Sequence, residues 1–187
     1  VAILPLLGVG GSQLFKAETA GPMKDQKLTP RIADTARAIW GTYGLLSVMC
    51  MLAYRAAGMS WPDAFMHMNT TVSLGGLSSY DASFGHWNSP LLEAVAVVFM
   101  MLSGINLMLY FATWRARSLA PLWRNAEARG FYIVIVFSVL LIAGYLVGSG
   151  AQADVQLALR QATFHVISVA TTTGYATHDY AQWPLFA

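Results

Sequence analysis

Long apolar segments alternate with shorter polar ones along this chain. Three of the apolar segments cover residues 38–54, 91–114 and 131–148, and a fourth covers residues 1–15. The first three each approach the ~20 residues that a helix needs to cross a hydrocarbon core about 30 Å thick. Their apolar residues are contiguous, which is typical of membrane spans and not of amphipathic helices on a soluble core. The pattern therefore predicts an all-α membrane protein.

Two shorter apolar stretches, at about residues 61–72 and 155–169, lie between the long segments. Each is followed by a small polar run that is rich in Gly, Ser and Thr. Neither stretch is long enough to cross a membrane and return. We therefore expect two short helices, each leading into a polar loop.

The distribution of Lys and Arg predicts how the chain is oriented. The connection between Lys16 and Arg37 holds five of the eleven basic residues, and that between Arg115 and Arg129 holds four more. Both connections are cytoplasmic by the positive-inside rule. The segments with the short helices are acidic, hold Arg160 as their one basic residue, and face outward. Each short helix must then dip into the membrane and return, in the order span, pore helix, loop, span.

A loop at membrane depth implies a pore. Non-helical backbone is tolerated there only where protein or a water-filled path surrounds it, because lipid offers its N–H and C=O groups no partner. The composition agrees with a membrane protein, since 56% of the residues are hydrophobic and 11% are charged. Soluble domains have roughly 25% charged residues.

Composition also excludes several other classes. The single cysteine, Cys50, excludes a disulfide framework or a thiolate metal site within this chain. The net charge of +2 is small, and the basic residues do not form a stripe with interleaved aromatics, so no nucleic-acid partner is expected. The chain opens inside an apolar stretch without an initiator Met or a signal peptide. We interpret it as an internal part of a longer protein.

The two loop segments repeat each other. Shifting the chain against itself by 98 positions aligns them without a gap, whereas the transmembrane parts align less well. Agreement of polar residues and glycine in one register indicates two copies of one loop, and so a ring of such loops around an axis. The matched pairs are Ala64 with Ala162, His67 with His165, Thr70 with Ser168, Ser73 with Thr171, Gly76 with Gly174, Ser79 with Thr177 and Asp81 with Asp179.

The loops have the chemistry of a potassium filter. A ring of backbone carbonyls can replace the hydration shell of the ion, and glycine allows a backbone turn in which successive carbonyls face one axis. A pore helix that ends before the loop also directs its partial negative charge toward the cavity. The candidate ion-binding residues are Ser73, Leu74, Gly75, Gly76 and Leu77 in the first loop, and Thr171, Thr172, Thr173, Gly174 and Tyr175 in the second.

Other residues near the loops have two interpretations each. Asp81 and Asp179 follow the filter glycines by five residues and either concentrate cations at the pore entrance or brace the loop through backbone N–H groups. His67 and His165 lack partner ligands at metal spacing, so we favour a buried, hydrogen-bonded role over metal binding. Glu93 begins a span and is expected to stay at the membrane interface.

Several segments resemble the Trk/Ktr superfamily of potassium transporters, and within it the bacterial TrkH-type subunits most closely. The resemblance covers essentially the whole chain, and it implies a four-repeat protein of which this chain holds the second and third filter loops. Leu74 and Leu77 depart from the family's usual Thr and Phe, which a backbone filter should tolerate. The segments that carry the resemblance are Thr71–Asp81, Ala170–Tyr180, Leu4–Phe15 and the basic linker Lys27–Arg37.

The resemblance also implies a division of the chain. Residues 1–37 are the end of the second span of repeat 1 with a cytoplasmic linker, and residues 38–114 are the whole of repeat 2. Residues 115–130 form a second cytoplasmic linker, and residues 131–187 hold the first span, pore helix and filter loop of repeat 3. The gate and the first and fourth filter loops lie outside this chain.

Family membership implies potassium transport across the bacterial inner (plasma) membrane, with the filter loops on the outer side. It implies a homodimer in the lipid bilayer, with a cytosolic, nucleotide-binding regulatory subunit of the RCK type, similar to TrkA. It implies no catalytic residue, no transition-metal site and no cofactor, with potassium as the substrate.

Three other functions compete with this interpretation. A sodium-permeable transporter of the same superfamily would result if serine replaced the first filter glycine. An intramembrane protease could use Ser78 with His86 or His178, but neither His lies on a spanning helix and no HExxH or GxGD motif occurs. A non-transporting receptor or scaffold offers no reason for duplicated dipping loops.

Overall fold

The computed structural model describes residues 32–179 and Trp183, with side chains from Ala36 onward. The predicted apolar segment at residues 1–15 and most of the first basic linker lie outside the described residues. The described part is helical and holds no strand. Its helices are α1 (Ile32–Ala56), α2 (Trp61–Val72), the 3-10 turn η1 (Ser83–His86), α3 (Pro90–Ser103), α4 (Leu107–Ala116), α5 (Ala120–Arg124), α6 (Ala126–Gly148) and α7 (Val155–Ala170).

Two helices are long and apolar enough to cross a membrane, namely α1 over Ala36–Ala56 and α6 over Ala126–Gly148. Much of the surface of α6 is apolar and exposed, as at Phe137 and Leu140. Such a surface is typical of a helix that faces lipid. These helices agree with the spans predicted at residues 38–54 and 131–148.

The apolar segment at residues 91–114 contains two helices and not one. Helix α3 ends at Ser103, and α4 begins at Leu107 after Asn106, whose side chain accepts a hydrogen bond from the Met108 N–H at 3.0 Å. Together the two helices meet the length and hydropathy of a third span, broken at residues 104–106. An asparagine favours this break because its side chain caps the start of a new helix.

The two short helices begin at local capping signals. The Ser60 hydroxyl accepts a hydrogen bond from the Asp63 N–H at 3.2 Å, and Pro62 lies in the first turn of α2. The Asp154 carboxylate accepts one from the Gln156 N–H at 2.9 Å at the start of α7. Side chains of this kind satisfy N–H groups that have no partner within the helix.

The described residues divide into two compact units, one within residues 32–45 and 105–131 and the other within residues 46–104 and 132–179. Both loops lie in the second unit. Its core contains an aromatic cluster in which Phe84 is central, with ring centroids 4.6 Å from Tyr175 and 5.6 Å from Phe164. All three side chains are buried. Because the rings come from η1, the second loop and α7, their packing holds the two loop segments together.

Candidate functional site

The two loops have the same backbone hydrogen bonds in the 98-residue register. In each, four successive N–H groups after the pore helix donate to carbonyls near its C-terminal end, at distances that differ by no more than 0.2 Å between the copies. The first set is Ser73 to Asn69, Leu74 to Thr71, Gly75 to Thr70 and Gly76 to Thr70, at 3.1, 3.1, 2.8 and 3.2 Å. The second is Thr171 to Ile167, Thr172 to Val169, Thr173 to Ser168 and Gly174 to Ser168, at 2.9, 2.9, 2.8 and 3.2 Å.

Left-handed backbone recurs at matched positions of both loops. Leu74 and Gly76 have φ of +57° and +61°, and their counterparts Thr172 and Gly174 have φ of +61° and +87°. Leucine and threonine rarely adopt this conformation, which costs about 1–2 kcal/mol for a residue with a Cβ. Strained backbone of this kind is found at functional sites, where the surrounding structure maintains it.

The loops contact each other through their backbones. The Cα of Gly76 lies so close to Thr173 that a Cβ on residue 76 would overlap the Thr173 carbonyl oxygen. Beyond the loops, the Gly85 N–H donates to the Ala176 carbonyl at 3.4 Å. The second loop is therefore packed against both the first loop and the turn that follows it.

Hydroxyl groups hold the second loop against the end of α7. The hydroxyls of Thr171 and Thr173 are buried and lie 2.7 Å apart, and that of Thr171 also approaches the Ile167 carbonyl at 2.7 Å. The Ser168 hydroxyl donates to the Tyr175 carbonyl at 2.7 Å. These bonds tie the loop to the end of α7.

His67 connects the first pore helix to the segment after its loop. The side chain is buried, with Nδ1 2.9 Å from the Asp63 carbonyl and Nε2 2.9 Å from the Ser78 hydroxyl. A backbone carbonyl can only accept, so Nδ1 carries the proton and the Ser78 hydroxyl donates to Nε2. The prediction of a buried, hydrogen-bonded histidine is confirmed here.

His165 is placed in the same way in the second segment. Its Nδ1 lies 3.0 Å from the Gln161 carbonyl, which matches Asp63 in the 98-residue register, and its Nε2 lies 3.2 Å from the His178 carbonyl. Within the described residues, no group of three His, Cys, Asp or Glu side chains is arranged to hold a metal ion. Each histidine instead braces a pore helix against the segment that follows its loop.

An ion pair between α7 and α3 joins the two loop segments. Arg160 of α7 donates to Glu93 of α3 through Nε at 2.7 Å and through a terminal nitrogen at 2.6 Å, with a further contact to Asn88 at 3.4 Å. Glu93 is 5% exposed. The bidentate pairing lets the carboxylate be buried inside the protein, while the position of Glu93 at the membrane interface stays a prediction.

The acidic residues after the loops are exposed, both at Asp81 and at Asp179. Nearby, the Tyr80 hydroxyl donates to the Asp63 carboxylate at 3.3 Å, and the Tyr80 ring stacks on His86 with a centroid distance of 3.7 Å. Desolvation and the Asp63 carboxylate raise the pKa of the Tyr80 phenol. The phenol therefore stays protonated and keeps donating to Asp63 at neutral pH.

The geometry does not support the serine–histidine pair of the competing protease interpretation. The Ser78 hydroxyl lies against His67 and also accepts the Tyr80 N–H at 3.2 Å, whereas His86 stacks on the Tyr80 ring. Nδ1 of His67 faces a backbone carbonyl and not a carboxylate. These contacts are those of a structural brace, not of an activated nucleophile with its orienting acid.

Comparison with known proteins agrees with this architecture. The family model described as TrkH, cation transport protein, matches residues 1–187. The chain is 44% identical over 190 residues to the Trk system potassium uptake protein TrkH of Escherichia coli K12. The alignment covers all of this chain and 38% of that protein. It is 42% identical to the TrkH protein of Halomonas elongata, over 98% of this chain and 38% of that protein.

A solved structure is also similar. The crystal structure of the potassium transporter TrkH from Vibrio parahaemolyticus superposes with a TM-score of 0.84 at 31% identity, covering 99% of this chain and 38% of that one. The chain belongs to the TrkH family of cation transport proteins, a family of membrane transporters and not of enzymes. It spans 38% of the length of the relatives named here.

Proposed function

We propose that this chain is part of a potassium uptake pore in which the two loops supply half of a four-part filter. The observation that carries the proposal is the pair of identically bonded loops, with left-handed residues at the same positions, packed against each other at Gly76 and Thr173. A backbone of this kind can direct successive carbonyls toward one path, as dehydration of potassium requires.

The filter residues have different roles in this proposal. Carbonyls of residues 73–77 and 171–174 act on the ion, while the Thr171 and Thr173 hydroxyls hold the second loop in place. Helices α2 and α7 end at their loops, with Ser73 and Thr171 as C-cap residues. The negative ends of both helix dipoles are thus close to the proposed ion path and favour a cation.

The proposal extends to the whole protein and its surroundings. The basic linkers are cytoplasmic and the loops face outward across the bacterial inner membrane. The relatives are named as parts of a Trk system, which supports a multi-component assembly, and we propose a homodimer with a cytosolic RCK-type subunit similar to TrkA. The same relatives are named for potassium uptake, so a sodium-permeable pore is the less favoured alternative.

Ion flux into liposomes that contain the full-length protein tests the proposal. Rubidium tracer uptake is measured with sodium as the competitor, for the wild type, Gly174→Ser and a control, Gly144→Ser. Gly144 lies within α6, where a Cβ would meet nothing within 4 Å. We expect selective uptake by the wild type and the control, and a loss of discrimination of about tenfold, or 1.4 kcal/mol, in Gly174→Ser. Wild-type uptake that does not distinguish sodium from rubidium would refute potassium selectivity.

A further inference from the structure

The side chain of Tyr175 reaches from the second loop into the first pore helix. Its hydroxyl lies 2.5 Å from the Thr70 hydroxyl and 3.1 Å from the Thr71 hydroxyl, and it donates to the His67 carbonyl at 3.3 Å. The residue is 2% exposed. A residue that follows one proposed filter glycine is thus bonded to the helix that precedes the other.

The hydroxyls of Tyr54, Thr71 and Tyr175 form a continuous buried chain. The Tyr54 hydroxyl of α1 lies 2.8 Å from that of Thr71, and both side chains are fully buried. Each hydroxyl has one proton to donate. Donation from Tyr54 to Thr71, from Thr71 to Tyr175, and from Tyr175 to the His67 carbonyl uses the protons of these three hydroxyls. Hydrogen bonds in such a chain polarise and strengthen one another where the dielectric constant is low.

Tyr175 is also held by contacts of its backbone carbonyl and of its ring. Its carbonyl accepts a hydrogen bond from the Ser168 hydroxyl at 2.7 Å, and its ring packs edge-on against Phe84 with a centroid distance of 4.6 Å. A Cβ built on the adjacent Gly174, whose φ is left-handed, would meet no atom within 4 Å. The backbone at Gly174 is therefore held through its own N–H bond to the Ser168 carbonyl and through the bonds of Tyr175.

The hydroxyl contact between Tyr175 and Thr71, called the hydroxyl bridge below, has no equivalent from the first loop to the second pore helix. The residue that matches Tyr175 in the first loop is Leu77, which has no hydroxyl and is 74% exposed. The residue that matches Thr71 in the second pore helix is Val169. The hydroxyl pair thus connects the second loop to the first pore helix and has no counterpart at the matched positions of the other copy.

We propose that Tyr175 is a positioning residue, whose hydroxyl sets the spacing between the two loops and so the placement of the carbonyl oxygens beside Gly174. The proposal rests on the proposed transport function. Because the hydroxyl bridge orders the filter and does not drive conduction, its loss weakens ion affinity and discrimination more than it lowers maximal flux.

The test uses full-length protein in liposomes and removes single hydroxyls. Tyr175→Phe keeps the ring, and Thr71→Val introduces the residue that the second helix has at the matched position. Thr163→Val is the control, because among the described residues the Thr163 hydroxyl bonds the Leu159 carbonyl of its own helix, at 2.7 Å, and no residue of the other loop segment. Rubidium KM, maximal rate and competition by sodium are measured, together with the thermal unfolding midpoint.

We expect Tyr175→Phe and Thr71→Val each to raise KM and to reduce discrimination against sodium by about five- to tenfold, as loss of a buried hydrogen bond predicts. The double variant should be no worse than Tyr175→Phe, and Thr163→Val should match the wild type. If both single variants keep wild-type KM and discrimination, with or without a lower unfolding midpoint, the positioning role is wrong. Absence of potassium-selective uptake in the wild type would instead overturn the proposed function.

Discussion

The Cα of Gly76 lies against the carbonyl group of Thr173, and a Cβ at residue 76 would overlap its oxygen and carbon atoms. A Cβ on Gly174, the counterpart of Gly76, would meet no atom within 4 Å, although the φ of +87° at Gly174 is also left-handed. The two proposed filter glycines thus match in sequence and in backbone conformation, but only at Gly76 would an added Cβ enter the backbone contact between the loops.

This difference predicts unequal effects of the two alanine substitutions. Gly174→Ala adds the strain of a Cβ at left-handed φ, about 1–2 kcal/mol. Gly76→Ala adds the same strain and must also displace the Thr173 carbonyl, which is backbone and cannot rotate away. We expect Gly76→Ala to lower the thermal unfolding midpoint and the rubidium uptake more than Gly174→Ala. The control Gly144→Ala, where a Cβ meets nothing within 4 Å, should lower neither. Equal losses in the two loop variants would contradict the contact.

The Glu93–Arg160 ion pair should stabilise the second unit. Arg160→Met leaves a carboxylate that is 5% exposed without its charged partner, and removal of one member of a buried pair costs about 3–5 kcal/mol. The lower end applies because the Arg160 side chain is 28% exposed. We expect a lower thermal unfolding midpoint in Arg160→Met and partial recovery in the double variant Glu93→Gln/Arg160→Met. A double variant less stable than Arg160→Met would show that the buried charge is not the cause.

Substitution of Asp81 distinguishes the two interpretations of the acidic residues that follow the loops, attraction of cations and bracing of the loop. A carboxylate about 10 Å from a cation in water attracts it by about 0.4 kcal/mol, roughly a twofold local concentration. If Asp81 concentrates cations, Asp81→Asn should reduce rubidium uptake about twofold at low ionic strength, with the loss disappearing as salt shortens the Debye length below ~10 Å. A loss of uptake that is independent of salt and accompanied by a lower unfolding midpoint would support bracing of the loop.

Local signals made the pore helices predictable. The apolar stretches at residues 61–72 and 155–169 became helices Trp61–Val72 and Val155–Ala170, because Ser60 and Asp154 cap their first turns and the polar runs end them. The glycine and hydroxyl pattern also gave the 98-residue register, in which the loops have the same backbone hydrogen bonds.

Contacts between distant residues were not predictable. Glu93 and Arg160 are 67 positions apart, and Tyr175 is 105 positions from Thr70. Periodicity and capping act over a few residues and do not report which side chains meet in three dimensions. Tyr175 therefore appeared to be only a backbone member of its loop. The break at residues 104–106 did have a local signal, since Gly104 ends one helix and Asn106 caps the next.

Crystals of the full-length protein grown in thallium(I), a heavy substitute for potassium, test the central claim most directly. Anomalous difference density locates the bound ions without reference to flux. The account predicts ions on the path between the two loops, coordinated by backbone carbonyl oxygens of residues 73–77 and 171–174. Ions bound only at carboxylates such as Asp81, with none between the loops, would contradict it.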